Sequence, residues 1–305
     1  MRSRALSEVS HELSANPTRT LNEVFHEFSV RVRVGASIHL DKYMIKYILT
    51  QFDTSLRRKS AYVYFAGIFA LCIIANIAVI AFRGIYGTNE GTYAYNIMEY
   101  AAWSFIVAYL SCILIANTVF GSRYPVPEKE KGPDGELSRA QIYAGKLVAS
   151  LMLALVFLII TFVVLVATTA AFHAGDDRTL DSEAIRIFCG KLFLALPLFF
   201  AGISFAVMCL FVFEDKKKAF AGFYVITLFI PRLIIFLAGD SCNISFFKML
   251  RTYTISQCFT LIPYPLNPDR NVPLMIALGF GYAVLSIVIG IVIYNKKDLK
   301  EFRND

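Results

Sequence analysis

The chain has 305 residues, of which 57% are hydrophobic and only 17% charged, against about 25% charged in an ordinary soluble domain. That balance excludes a soluble globular enzyme and points to an integral membrane protein with a water-soluble N-terminal region and loops. In a soluble protein the net charge of +7 would suggest nucleic acid; here the Lys and Arg residues set topology instead, and no nucleic-acid partner is expected.

Residues 1–37 are polar and mixed, and read as a cytosolic extension. About sixty largely polar residues precede the first apolar run, so no secretory signal is expected. The extension contains an internal echo, Leu6–Ser14 against Leu21–Ser29, which fits two short amphipathic helices joined at Ala15-Asn16-Pro17. His11 and His26 are metal-ligand types, but two histidines on a solvated tail make no site, and no metal is expected. Residues 38–60 carry an apolar stripe of Met44, Ile45, Ile48, Leu49, Phe52 and Leu56. The opposite stripe is Lys42, Lys46, Thr50, Asp53 and Arg57. This spacing predicts an amphipathic helix lying in the membrane interface, ended by Arg57-Arg58-Lys59.

The transmembrane domain is expected over residues 61–295. Its six apolar runs are Ala61–Phe82, Met98–Phe120, Ile142–Phe172, Phe188–Phe213, Ala219–Leu237 and Pro273–Tyr294. Each reaches the roughly twenty residues needed to cross ~30 Å of hydrocarbon. The third is longer than a bilayer needs, and is expected to tilt or to project into the cytosol near Lys146. Most of the 30 Lys and Arg fall in segments that lie together if the N-terminus is inside, while Gly175–Glu183 is acidic and falls outside. The positive-inside rule therefore puts both termini in the cytosol. The expected class is an all-α integral membrane protein: six transmembrane helices preceded by an interfacial amphipathic helix.

Residues 238–272 form a long external segment, with Cys242 and Cys258 as candidates for a disulfide. Residues 296–305 are a short basic tail on the cytosolic side. No nucleotide-binding loop is present: Ala140 stands where the Walker pattern needs its first Gly, and Leu147 follows Gly145-Lys146. Nor is there an HExxH or GxSxG motif. Arg232 follows Pro231 inside the fifth run, where a charge costs ~2.5–3.5 kcal/mol and faces a partner, a watery cavity or the headgroups. These two residues are candidates for a translocation path or gate. Glu99, near the outer end of the second run, is a candidate partner for Arg232.

Between the second and third runs lies a polar island, residues 121–141, with breakers at Pro125, Pro127, Gly132, Pro133 and Gly135. Such a segment must turn in water between two spans. The exit Phe120-Gly-Ser-Arg-Tyr124, the charged loop and the run Leu137-Ser-Arg-Ala-Gln-Ile-Tyr-Ala-Gly-Lys-Leu147 resemble the second-to-third-span loop of type-two ABC transporter permeases. This chain departs from the pattern at Arg123, where an acidic residue is common, and at Gly132–Gly135, where Gly-Thr is usual. The resemblance covers nearly everything after residue 38. It implies a short coupling helix in the loop, with Glu128, Glu130, Asp134, Glu136 and Arg139 at the ATPase contact, and short helices in the external segment that cap a path.

It further implies two copies of a separate ABC ATPase, a second permease chain (identical or homologous), and ATP and Mg bound by the ATPase rather than by this chain. On this reading the chain is not itself an enzyme. It exports a substrate, with a peptide or small amphiphile as first guess, across a bacterial plasma membrane. The rival reading is a non-transporting sensor or assembly scaffold that binds a partner through residues 1–37.

Overall fold

The structure, a computed structural model, describes residues 44–86, 101–121, 131–132, 135–173, 182–213, 215–239, 244–264 and 270–296. Residues 1–43, including the N-terminal extension and the start of the expected interfacial helix, lie outside these, as does the tail beyond Lys296. Helix α1 covers residues 44–56. It is followed by α2 (Lys59–Tyr86), then α3 (Ala101–Leu110) and α4 (Cys112–Phe120). Strands β1 (Lys131–Gly132) and β2 (Gly135–Glu136) precede α5 (Arg139–Phe172) and α6 (Ser182–Val212). Next come α7 (Lys216–Tyr224), a π-helical turn at Val225–Phe229, and α8 (Ile230–Ala238). Two short helices, α9 (Ser245–Thr252) and α10 (Ile255–Leu261), lead to α11 (Val272–Lys296).

Five helical runs are long and apolar enough to cross a membrane: α2, α5, α6, α7 through α8, and α11. The pair α3 and α4, bent by 41° at Ser111, makes a sixth if it counts as one span. Large apolar side chains such as Val63, Phe69, Ile85, Phe193, Phe229 and Val284 stand exposed. Exposed apolar surface on this scale suits hydrocarbon rather than water. The chain thus has the character of a multi-pass helical membrane protein.

Two breaks in regularity have local causes. Ser104 and Ser111 donate their hydroxyls to the carbonyls of Ala101 and Ala108 at 2.6 and 2.7 Å. Side-chain bonds of this kind compete with the helix ladder and bend it. In the fifth span Pro231 has no backbone N–H to give. The turn just before it, Val225–Phe229, widens to π geometry, a common way of absorbing such a defect.

Helix α6 is the hub. Two-thirds (67%) of its apolar stretch is buried, whereas no other single-helix span exceeds 22%. Its closest neighbour is α11, and it also touches α3, α4, α5 and α7. One apolar cluster fills the end near Phe120, Tyr143, Phe211 and Tyr294; another fills the opposite end near Phe105, Phe188, Phe259 and Met275. The long α5 runs about 51 Å at 1.5 Å per residue, and the Lys146 side chain in its first turns is packed inside the bundle. That side chain is only 3% exposed, because α4, α6 and α11 surround the first turns of α5. The interfacial stripe is divided as well. Ile48, Phe52 and Leu56 pack on the bundle together with Tyr47, while Ile45 and Leu49 remain exposed.

Small residues bring these helices together. A Cβ on Gly279 would stand 2.6 Å from the backbone of Pro197, and one on Gly202 would stand 2.8 Å from the Tyr109 ring. Apolar area alone gives little drive in lipid, so such close approach is what packs spans. Gly281, two residues from Gly279, faces open space. We therefore expect Gly279→Val to destabilise the purified protein strongly, since overpacking costs about 1–3 kcal/mol and here meets backbone. Gly281→Val should be near neutral, and thermal unfolding in mild detergent compares the two.

Candidate functional site

The polar loop joins α4 to α5, and its two ends are held differently. Helix α4 ends at Phe120 with its last carbonyls lacking intrahelical partners. Gly121 turns the chain there with φ +61°, a conformation glycine adopts without strain. Arg58, in the link between α1 and α2, donates to the Thr118 carbonyl at 2.6 Å. Lys216, the first residue of α7, donates to the Gly121 carbonyl. Two cations thus sit where the α4 dipole is negative. Gly121 is needed twice over, because a Cβ there would also fall on the Arg58 guanidinium.

The other end is a capping box. The Ser138 hydroxyl accepts from the Gln141 N–H, and the Ser138 N–H donates to Gln141 Oε1 at 2.9 Å. Arg139 then donates to the Tyr294 carbonyl at 3.1 Å and lies 5.3 Å from the centre of the Tyr294 ring. Two turns on, the buried Lys146 ammonium sits 5.2 Å from the centre of the Phe120 ring. Both are cation–π distances. Phe211 of α6 is the centre of an aromatic knot, 5.0 Å from Phe120 and 4.7 Å from each of Tyr143 and Tyr294. The ends of α4, α5, α6 and α11, with the Arg58 link and the start of α7, therefore meet around the loop.

Of the expected ATPase-contact residues, Glu128, Glu130 and Asp134 lie outside the described residues. Glu136 pairs with Lys131 in the short antiparallel ladder, with Gly132 opposite Gly135. That ladder, not a helix, is the described part of the loop before Leu137. The loop is also shorter than 121–141, because Arg139 to Gln141 already belong to α5; the Ser138–Gln141 box ends it. Sequence reasoning missed Arg58, Lys216, Tyr143 and Tyr294. The first two were visible as basic clusters beside spans, but nothing in such a cluster says which member turns inward.

A second feature is an apolar gap of about 1450 Å³ between α2, α3–α4, α5 and α6. Its near end is closed by Tyr64 and Phe65 around Phe157, with ring centres 4.7 and 4.5 Å apart. Tyr64 and Ser111 share a hydrogen bond of 3.2 Å. Toward the far end Asn76 of α2 donates to the Thr168 hydroxyl of α5 at 3.3 Å. A gap with so apolar a lining is a poor site for water.

The expected gate residues are placed elsewhere. Pro231 is buried and Arg232 is exposed on the outward face of α8, beside Leu233 and Phe236. Arg232 makes no hydrogen bond or ion pair among the described residues, and does not line the gap; Glu99 lies outside them. Residues 238–272 do contain two short helices, α9 and α10. The second inserts Ile255, Cys258 and Phe259 into the far apolar cluster. Cys242, the candidate disulfide partner of Cys258, lies outside the described residues. Burial pushes the Cys258 thiol from 9.0 up to about 11, partly offset by a backbone hydrogen bond.

No protein-family model matches the chain, and no curated protein matches it.

Two measurements check this geometry. The Tyr143 hydroxyl is buried without a hydrogen-bond partner among the described residues, and a Cβ on Gly290 would stand 2.3 Å from it. Tyr143→Phe should then stabilise by about 1–3 kcal/mol, the cost of an unsatisfied buried polar group. Gly290→Ala should destabilise alone and be relieved only in part by Tyr143→Phe, because two ring carbons of that side chain also stand 2.8 Å from the added Cβ. Alkylation of Cys258 in a variant without the other cysteines should stay slow at pH 8–9. It should rise as pH nears the raised value of about 11, since the thiolate is the reacting form.

Proposed function

We propose that the chain is the transmembrane permease subunit of an ATP-driven exporter. A second permease chain pairs with it in a bacterial plasma membrane, and two ATPase chains bind ATP and Mg beneath the polar loop. The observation that carries this reading is the clamping of that loop. Its ends are tied to the α1–α2 link through Arg58, to the fifth span through Lys216, and to the sixth through Arg139 and Tyr294. A push on residues 121–138 reaches several spans at once, as a coupling loop requires. Rigid-body rocking of packed helices is how such a push becomes a change of access. The exposed Arg232 fits a face completed by the second chain or by a wet path, because a lone charge facing lipid is costly.

The test is to purify the tagged full chain from its native membrane and assay the eluate for ATPase activity. Wild type should bring down an ATPase. Reversing Glu128, Glu130 and Glu136 together to Lys should lower the recovered activity several-fold without changing membrane insertion, since contact charges act through complementarity. Recovery of wild type with no ATPase would overturn the reading.

A further inference from the structure

The gap beside α2 has a chemistry of its own. Among its lining residues there is no Lys, Arg, His, Asp or Glu. Its rim residues Val63, Leu71, Phe82, Val107, Leu114 and Leu155 are exposed on the outward surface. The gap therefore opens sideways onto the surface that faces hydrocarbon, and only what dissolves there can enter it. Gly67, Ala75 and Ala78 line it from α2, and Ala101, Ser104 and Ala108 from α3. Small residues on two helices ordinarily let them close on one another. Here α2 rests mainly on α5 instead, propped at one end by Tyr64, Phe65 and Phe157 and tied toward the other by Asn76 and Thr168. The space between is uncharged. At its near end the charge changes: Lys59 lies one turn before Val63 and is exposed, as is Arg57, which is paired with Asp53 at 3.1 Å.

We propose that this gap is a lipid groove, occupied by acyl chains of a bilayer phospholipid whose phosphate lies at the Arg57–Lys59 end. Hydrocarbon matches the uncharged lining, and the cations match the phosphate. Occupancy needs no ATPase, so the groove stands or falls apart from the transport reading.

The full chain is reconstituted in phosphatidylcholine nanodiscs containing phosphatidylcholine with a photoreactive diazirine in mid-chain, and the labelled residues are mapped. Labelling should concentrate on gap positions such as Ala75, Ala108 and Ala154, several-fold above the outward α11 positions Val284 and Val288. A Cβ at Gly67 meets nothing within 4 Å, so Gly67→Phe enters the groove with its Cβ in open space and improves helix propensity. It should abolish most of the gap labelling, and Ala75→Phe, also exposed into the gap, is the second filling variant. Gly281→Phe, in open space on α11, should leave labelling unchanged. Lys59→Gln should lower retention of phospholipid through delipidation while a free alkane-chain probe still labels the gap. Equal labelling of gap and outward faces overturns the proposal, and so does undiminished labelling in both filling variants. Crosslinks between two copies through the gap also overturn it, because a second chain's helix would then be the occupant.

Discussion

Close backbone contact between α6 and its neighbours is the constraint on which the bundle depends. In hydrocarbon, burying a leucine gains little, because lipid is as apolar as the protein interior. What remains is van der Waals packing, which demands that helices approach closely. Helix α6 meets the demand with Ala195, Ala201, Gly202, Ser204 and Ala206, all essentially without exposure. Helix α11 answers with Gly279 against Pro197. Helices placed around this post inherit its position; α2, which lies farther out, is held by Ala61 and Cys72 in the two clusters, by a few polar pairs and by the rings around Phe157. That difference is why the gap lies beside α2 and not at the centre.

Charge organises the loop end. Arg58, Lys216, Arg139 and Lys146 meet helix carbonyls or aromatic faces there. Each interaction is modest in isolation, a helix-terminal cation being worth about 0.3–1 kcal/mol. Together they tie segments far apart in sequence to the two ends of one loop, so the loop cannot move without carrying them. The functional proposal rests on that mechanical connection, not on any reactive group.

Much of this was legible beforehand, and the reason is solvent. Twenty apolar residues in a row have one stable state in a membrane, so the six runs could be read off, and the breaker-rich island between Phe120 and Leu137 could only be a loop. The burial of Lys146 was not legible, because hydropathy scores a lysine as a wish for water. It does not see a Phe120 ring face or the walls that α4 and α6 build. Which helical glycines face a neighbour has no local signal; Gly145, Gly202, Gly222, Gly279 and Gly290 are met closely by other parts of the same chain. Pro231 was legible as a defect, though not the π turn that absorbs it upstream.

By itself, then, the sequence determined the class of solvent, the number of runs able to span it and the place of the polar loop, since these depend only on local composition and period. Tertiary structure alone decided which cations turn inward, which faces of α1 meet the bundle, and where helices stand apart to leave a groove. Those outcomes depend on residues such as Arg58 and Thr118, or Gly67 and Ala108, that no local pattern connects and that only the packing of α6 brings near.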